Sequence, residues 1–407
     1  MNSLLSETTH TLLTLYDAFT ALGRLTALKA LCLAQLHEKH LVINKAQQFI
    51  ENAYQIATLL NRAYAIKTHH VTWHTHTHPT KNLLVDANNI IEPMAFHHAI
   101  DKLTAAAQFT LQKSISQISR ITHLQPVLQL LRQLKQSLHC NTTTDLPLKD
   151  ILGEPIASNS TDKVLQGPAH IDIDNIFLPT HSVLEEDISE YGNSATEAAP
   201  YYWGLSAFES VAADMCCLSI IEYDNFPIQF YRDMAKQAWD EIRHAILFLE
   251  MAISLLAELK NQLETDNPLL VYIKGFEKTG RGLPIPLERN LYEALWNATL
   301  EERLILMHHD AETPAISRLK EKMLSTLSAK HSTIRDGLEI VMREEITHAR
   351  LGKKWLQYIL PDPKMRTSVI NRTRMLRSLL LLTSVAYHRN EPLSELIHDT
   401  LAKHRTK

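Results

Sequence analysis

Two stretches 104 residues apart echo one another: Asp240–Ala245 reads DEIRHA and Glu344–Ala349 reads EEITHA. Each carries a glutamate, two intervening residues and a histidine, giving the pairs Glu241/His244 and Glu345/His348. On an α-helix, residues i and i+3 project to one side, roughly 5–6 Å apart at Cβ. One such pair is common on an exposed helix face. Here both pairs sit among apolar residues, Ile242, Leu247, Phe248 and Leu249 around the first and Leu338, Val341 and Gly352 around the second. Polar groups on an apolar stripe are costly unless paired or bound to a metal. The echo therefore predicts two helices facing one polar site.

A dinuclear site in a four-helix bundle needs two Glu-x-x-His pairs and one further glutamate from each of two more helices. The chain supplies candidates in the required order. Glu209 lies in WGLSAFESVAADMCCLSII, and Glu301 and Glu302 lie in LYEALWNATLEERLILMHH. Glu301 shares a stripe with Asn297, Ile305 and His308, whereas Glu302 shares one with Leu306 and His309, and helical period does not choose between them.

The rest of the chain agrees with a helical fold. Only ten glycines occur in 407 residues, against glycine-cornered barrels and sheets. Apolar spacing predicts helices over 3–38, 44–69 and 96–139, then 203–222, 227–260, 286–309, 314–328 and 331–360, with further helices near 364–388 and 391–404. The segment 141–200 has Pro, Gly, Ser and Asn punctuation without a period, as in a linker or a strap over a site. The expected organisation is thus all-α: an N-terminal helical region (1–140), an irregular segment (141–200), a four-helix bundle (201–360) and C-terminal helices (361–407).

Net charge is −4, but residues 151–360 hold 19 Lys/Arg against 32 Asp/Glu. No strongly basic domain announces nucleic acid. PKMRTSVINRTRMLR (363–377) carries Lys364, Arg366, Arg372, Arg374 and Arg377, a solvated helix face or, alternatively, a phosphate grip on RNA. Five histidines at 69, 70, 74, 76 and 78 read as an exposed loop in preference to a metal cluster. Cys32, Cys140, Cys216 and Cys217 show no CxxC spacing, which fits a reduced, cytoplasmic setting. The longest apolar run, 245–259, is short and broken by Glu250, so no membrane span is expected.

The stretch FESVAADM…YRDMAKQAWDEIRHAILFLEM…LWNATLEERLIL…EEITHARLGKKW resembles the ferritin-like superfamily. It is closest to an uncharacterised bacterial ferritin-like family reading Ile-Glu, Asp-Glu-Ala-Arg-His, Glu-Ala-Arg-Gly-Leu-Asp and Glu-x-x-His-Val. The resemblance covers about 200–360, and ERLIL stands here in place of ARGLD. It implies a diiron ligand set of Glu209, Glu241, His244, Glu301, Glu345 and His348. Glu241 and Glu345 would bridge, and the resemblance selects Glu301 over Glu302 for the third helix. It also implies that Asp240 reaches His348 and that Glu344 reaches His244. Two Fe ions are expected, with Mn or a mixed Mn/Fe pair as variants and O2 as co-substrate. The expected activity is an oxygenase or oxidase reaction on a small molecule, fed by an external electron donor, with a homodimer admitted. Ferroxidase or iron handling, and hydroxylation of tRNA or another RNA, are the alternatives. Cys216, Asn297, Glu302, Ile305 and His308 are the candidate pocket residues.

Overall fold

A computed structural model describes residues 2–31, 36–64, 195–223, 226–259, 298–375 and scattered positions between them. Among the described residues the protein is all-α apart from one small parallel ladder. The elements are α1 (Asn2–Leu31), α2 (Leu36–Tyr64), β1 (Ile171–Asp172), α3 (Ala195–Glu222), α4 (Ile228–Leu259) and β2 (Pro286–Leu287). There follow α5 (Leu300–Arg303), a π-helical segment (Leu304–Glu312), α6 (Thr313–Met323), α7 (Thr326–Lys330), α8 (Ser332–Ile359) and a last helix α9 over 363–375. β1 pairs with β2 through Ile171 opposite Pro286 and Asp172 opposite Leu287. The expected histidine loop at 69–78 and the helices near 96–139 and 391–404 lie wholly or mostly outside the described residues.

The chain divides into two compact units. The first comprises Met1–Ala169 and Cys216–Trp239, the second His170–Met215 and Asp240–Lys407. In the first unit, α1 buries Leu12, Leu15, Phe19 and Leu22, and α2 buries Ile43, Ala46, Ile50 and Ala53. Both sets follow the three- and four-residue spacing of an amphipathic helix. The two helices pack closely, since a Cβ on Gly23 would lie 2.4 Å from Ile50 Cγ1. The described part of α1 falls within the helix expected over 3–38, and residues 32–35 lie outside the described residues. Arg232 donates to Glu51 at 2.6 Å and stacks over Tyr54. Arg24 donates to the Ile221 carbonyl in the last turn of α3, where a helix leaves acceptors unsatisfied.

In the second unit, α3 and α4 are joined through the Ser206 hydroxyl donating to the Ala245 carbonyl at 2.7 Å and by Tyr202 stacked on Phe248. The part of α3 from Tyr201 to Glu222 is long and apolar enough to cross a membrane by composition, but 83% of its apolar window is buried against protein. Such a helix is hydrophobic all round because it is packed all round. On α8 the predicted stripe is the buried one: Leu338, Val341, Glu345, His348 and Gly352 are all inside.

The helix that follows β2 departs from expectation. Periodicity predicts one helix over 286–309 and another from 314. Instead 286–287 form the ladder, and from Leu300 to Met323 the helix runs without interruption through the π segment. Pro314 does not end it. A proline lacks the N–H that an α-turn requires and crowds the preceding turn. The widened i→i+5 turns just before it relieve that conflict, and Pro314 sits in the first turn of α6.

Candidate metal centre

The centre lies entirely within the second unit and is built on four helices. α3 brings Glu209, α4 brings Asp240, Glu241 and His244, the π segment brings Glu312, and α8 brings Glu344, Glu345 and His348. Glu209, Glu241, His244, Glu312, Glu345 and His348 are all buried, none more than 8% exposed. Their ligand atoms fall into two overlapping groups, Glu209/Glu241/His244/Glu345 and Glu241/Glu312/Glu345/His348, with the atoms of each group within 4.8 Å of one another. Glu241 and Glu345 belong to both.

The imidazoles are arranged in mirrored fashion. His244 Nδ1 sits 3.3 Å from both Glu241 Oε2 and Glu345 Oε1. His348 Nδ1 sits 3.1 Å from Glu241 Oε1, 3.3 Å from Glu345 Oε2 and 3.6 Å from Glu312 Oε2. The opposite nitrogens face outward to acids of the other helix. His244 Nε2 lies 2.8 Å from Glu344 Oε2, and His348 Nε2 lies 3.3 Å from Asp240 Oδ2. Both cross-helix contacts expected for Asp240 and Glu344 are therefore present. An acid on Nε2 fixes the ring so that the Nδ1 lone pair points inward, as a metal-ligating histidine requires. Arg243 closes the chain of contacts, donating to Asp240 Oδ1 at 3.1 Å and to Glu344 Oε1 at 3.3 Å.

The electrostatics reflect four carboxyls and two imidazoles packed together out of water. Burial pushes Glu209 well above the usual carboxylate range, and Glu241 and Glu345 push it further. Burial likewise raises Glu312, helped by the charge and hydrogen bond of Glu345. Glu345 resists both burial and the charge of Glu241: hydrogen bonds with Glu312, His244 and His348 hold it down at about 2. Glu241 is also held low, its burial outweighed by His348 and His244. Burial disfavours charging either histidine, yet hydrogen bonds and charge from the surrounding carboxylates outweigh it and raise both. Burial and the neighbouring carboxylates thus favour the protonated forms of Glu209 and Glu312.

The donor set fits a metal pair. His244 Nδ1 faces two carboxylates, Glu241 and Glu345, each at 3.3 Å. Oxygen and imidazole donors converge from four directions, and each histidine is oriented from behind. These buried groups could hold metal.

One expected residue is not where the sequence reading put it. Glu301 is half-buried in the first turn of α5 and is not in either group, and Glu312 occupies the fourth carboxylate position. The two are 11 residues apart, close to three α-turns, so both lie near the same stripe of an ideal helix. The signal that could have identified Glu312 is its place on that stripe, three residues beyond the 309 end expected for the helix.

Among the pocket candidates, Ile305 and His308 are buried on the π segment. Burial, and then the charge of His348, lower His308 to about 4, so it is neutral. Gly352 is what lets it in: a Cβ there would lie 2.1 Å from His308 Cβ. Glu302 is half-buried in α5. It completes a capping box with Thr299 and pairs with Arg372 at 3.3 Å. Cys216 is a buried thiol outside any disulfide and belongs to the first unit. Asn297 lies outside the described residues. Comparison with family models, curated proteins and solved structures returns no match.

Proposed function

We propose that the chain is a ferritin-like four-helix-bundle protein with a dinuclear non-haem metal centre, acting as an O2-dependent oxidoreductase on a small molecule. The observation that carries this reading is the pair of overlapping ligand groups sharing Glu241 and Glu345. Glu209 and His244 would complete one metal position, and Glu312 and His348 the other. A carboxylate-rich set with one imidazole per ion suits iron or manganese better than zinc or calcium. When bound, such a metal pair supplies the one-electron steps that let O2 react with a closed-shell organic substrate.

The chain's own residues do the rest. Asp240 and Glu344 hold the Nε2 protons of His348 and His244, so each Nδ1 is presented inward. Arg243 contacts both acids and holds them in place. Leu304, Ile305, Leu338 and Val341, all buried, are apolar residues of the π segment and α8, the elements that carry Glu312, Glu345 and His348. His308, buried and kept neutral by its burial and by the charge of His348, adds an uncharged imidazole near the cluster. An external donor would return electrons after each turnover.

The basic helix adds no support for RNA as substrate. Arg372 and Arg374 are engaged with Glu302 and Asp310, and Arg366 with the Leu360 carbonyl. Anaerobic reconstitution with Fe(II), followed by metal analysis and admission of O2, tests the proposal. Two irons per chain and an oxygen-dependent change in the near-ultraviolet and visible spectrum are expected. Fewer than one metal per chain with no response to O2 would sink it.

A further inference from the structure

The π segment is nine residues long. That is unusual, because i→i+5 turns are poorly bonded and normally occur singly. Something outside the segment must hold it. From the inner side, Gly352 admits His308. From the outer side, α9 reaches across with Arg374. Its Nε donates to Asp310 Oδ1 at 3.0 Å and to Oδ2 at 3.2 Å, and its Nη2 donates to Oδ1 at 3.0 Å. His309 Nδ1 joins the cluster, 2.8 Å from Asp310 Oδ1 and 3.1 Å from Arg374 Nη2. The Asp310 side chain is only 4% exposed while Arg374 is half exposed, so the aspartate is fixed in the wall and the arginine grips it from outside. Glu312 is two residues further on.

Resting on the dinuclear reading above, we infer that Arg374, through Asp310, is a positioning residue for the metal position that contains Glu312. The forked guanidinium fixes the rotation of the π segment as a lysine could not, and rotation decides whether Glu312 faces the cluster. This gives the basic 363–377 segment a task inside the protein. It also makes a selective prediction, because only one of the two ligand groups contains Glu312.

The experiment is an anaerobic Co(II) titration of the full-length chain, followed by visible absorption, with circular dichroism on every variant. Wild type should take up two Co(II). Arg374→Ala and Asp310→Asn should retain one at near wild-type affinity and weaken the other by about ten- to hundredfold. Arg374→Lys should fall between, and Arg372→Ala, on the same helix but paired with Glu302, should leave both intact. If Arg374→Ala loses its helical signal, Arg374→Lys and Asp310→Asn carry the test. Two unchanged affinities in folded Arg374→Ala or Asp310→Asn, or equal weakening of both, would overturn the inference. Failure of wild type to bind two Co(II) would instead overturn the dinuclear reading.

Discussion

Glu241 and Glu345 differ from the other carboxylates in belonging to both ligand groups, and that difference is measurable. Glu241→Ala or Glu345→Ala should abolish both metal positions, whereas Glu209→Ala or Glu312→Ala should leave one metal per chain. Glu301→Ala should leave two. Metal analysis after reconstitution and desalting distinguishes these cases. The outward acids give a subtler effect. Asp240→Asn should weaken the position that uses His348, and Glu344→Gln the one that uses His244, each by about ten- to hundredfold. Competition with a chromophoric chelator reads those affinities, and equal losses at both positions would contradict the crossed pairing.

At the scale of elements, the contact between α8 and the π segment depends on a missing side chain. Gly352→Ala would drive a methyl group into His308 Cβ, and the backbone of one helix must move. Overpacking of this kind costs roughly 1–3 kcal/mol, so thermal unfolding should show a clear drop in Tm. Gly337→Ala meets only the thioether end of Met251, at 2.3 Å from Cε, and a flexible methionine can swing aside. Its Tm should change much less.

What the sequence disclosed follows the same lines. Glu209, Glu241, His244, Glu345 and His348 were legible because each sits on a regular α-helix, where a 3.6-residue period turns spacing into direction. Asp240 and Glu344, each one residue before a ligand, took their expected partners from the family resemblance and not from the period. Glu312 was not legible, because it lies in turns of a different period and next to a proline that ordinarily signals a helix end. Regular helices can be read from pattern; departures from them depend on neighbours distant in sequence, such as Gly352 and Arg374.

For the whole molecule, the balance of protons in the core sets how stability responds to pH. Burial raises Glu209 and Glu312, and the surrounding carboxylates raise His244 and His348 against their burial. A group raised in the folded state stabilises fully below its unfolded pKa and loses that contribution as pH rises through its folded pKa. Glu345, held at about 2, acts the other way and loses its contribution only in strong acid. The metal-free protein should therefore lose Tm from mildly acidic to alkaline pH, and added metal should flatten that slope. Metal binding should also release protons, visible as a buffer-dependent heat in calorimetry. A Tm of the metal-free protein that rises over the same range would contradict this.

The crossed pairing of α4 and α8 also constrains their register. Each helix supplies an imidazole to one acid of its neighbour and an acid to one imidazole in return. Sliding either helix by one turn, about 5.4 Å, would break both exchanges at once, and Arg243 would lose one of the two acids it ties. The two helices are keyed like a lock with matching wards: only one alignment closes it.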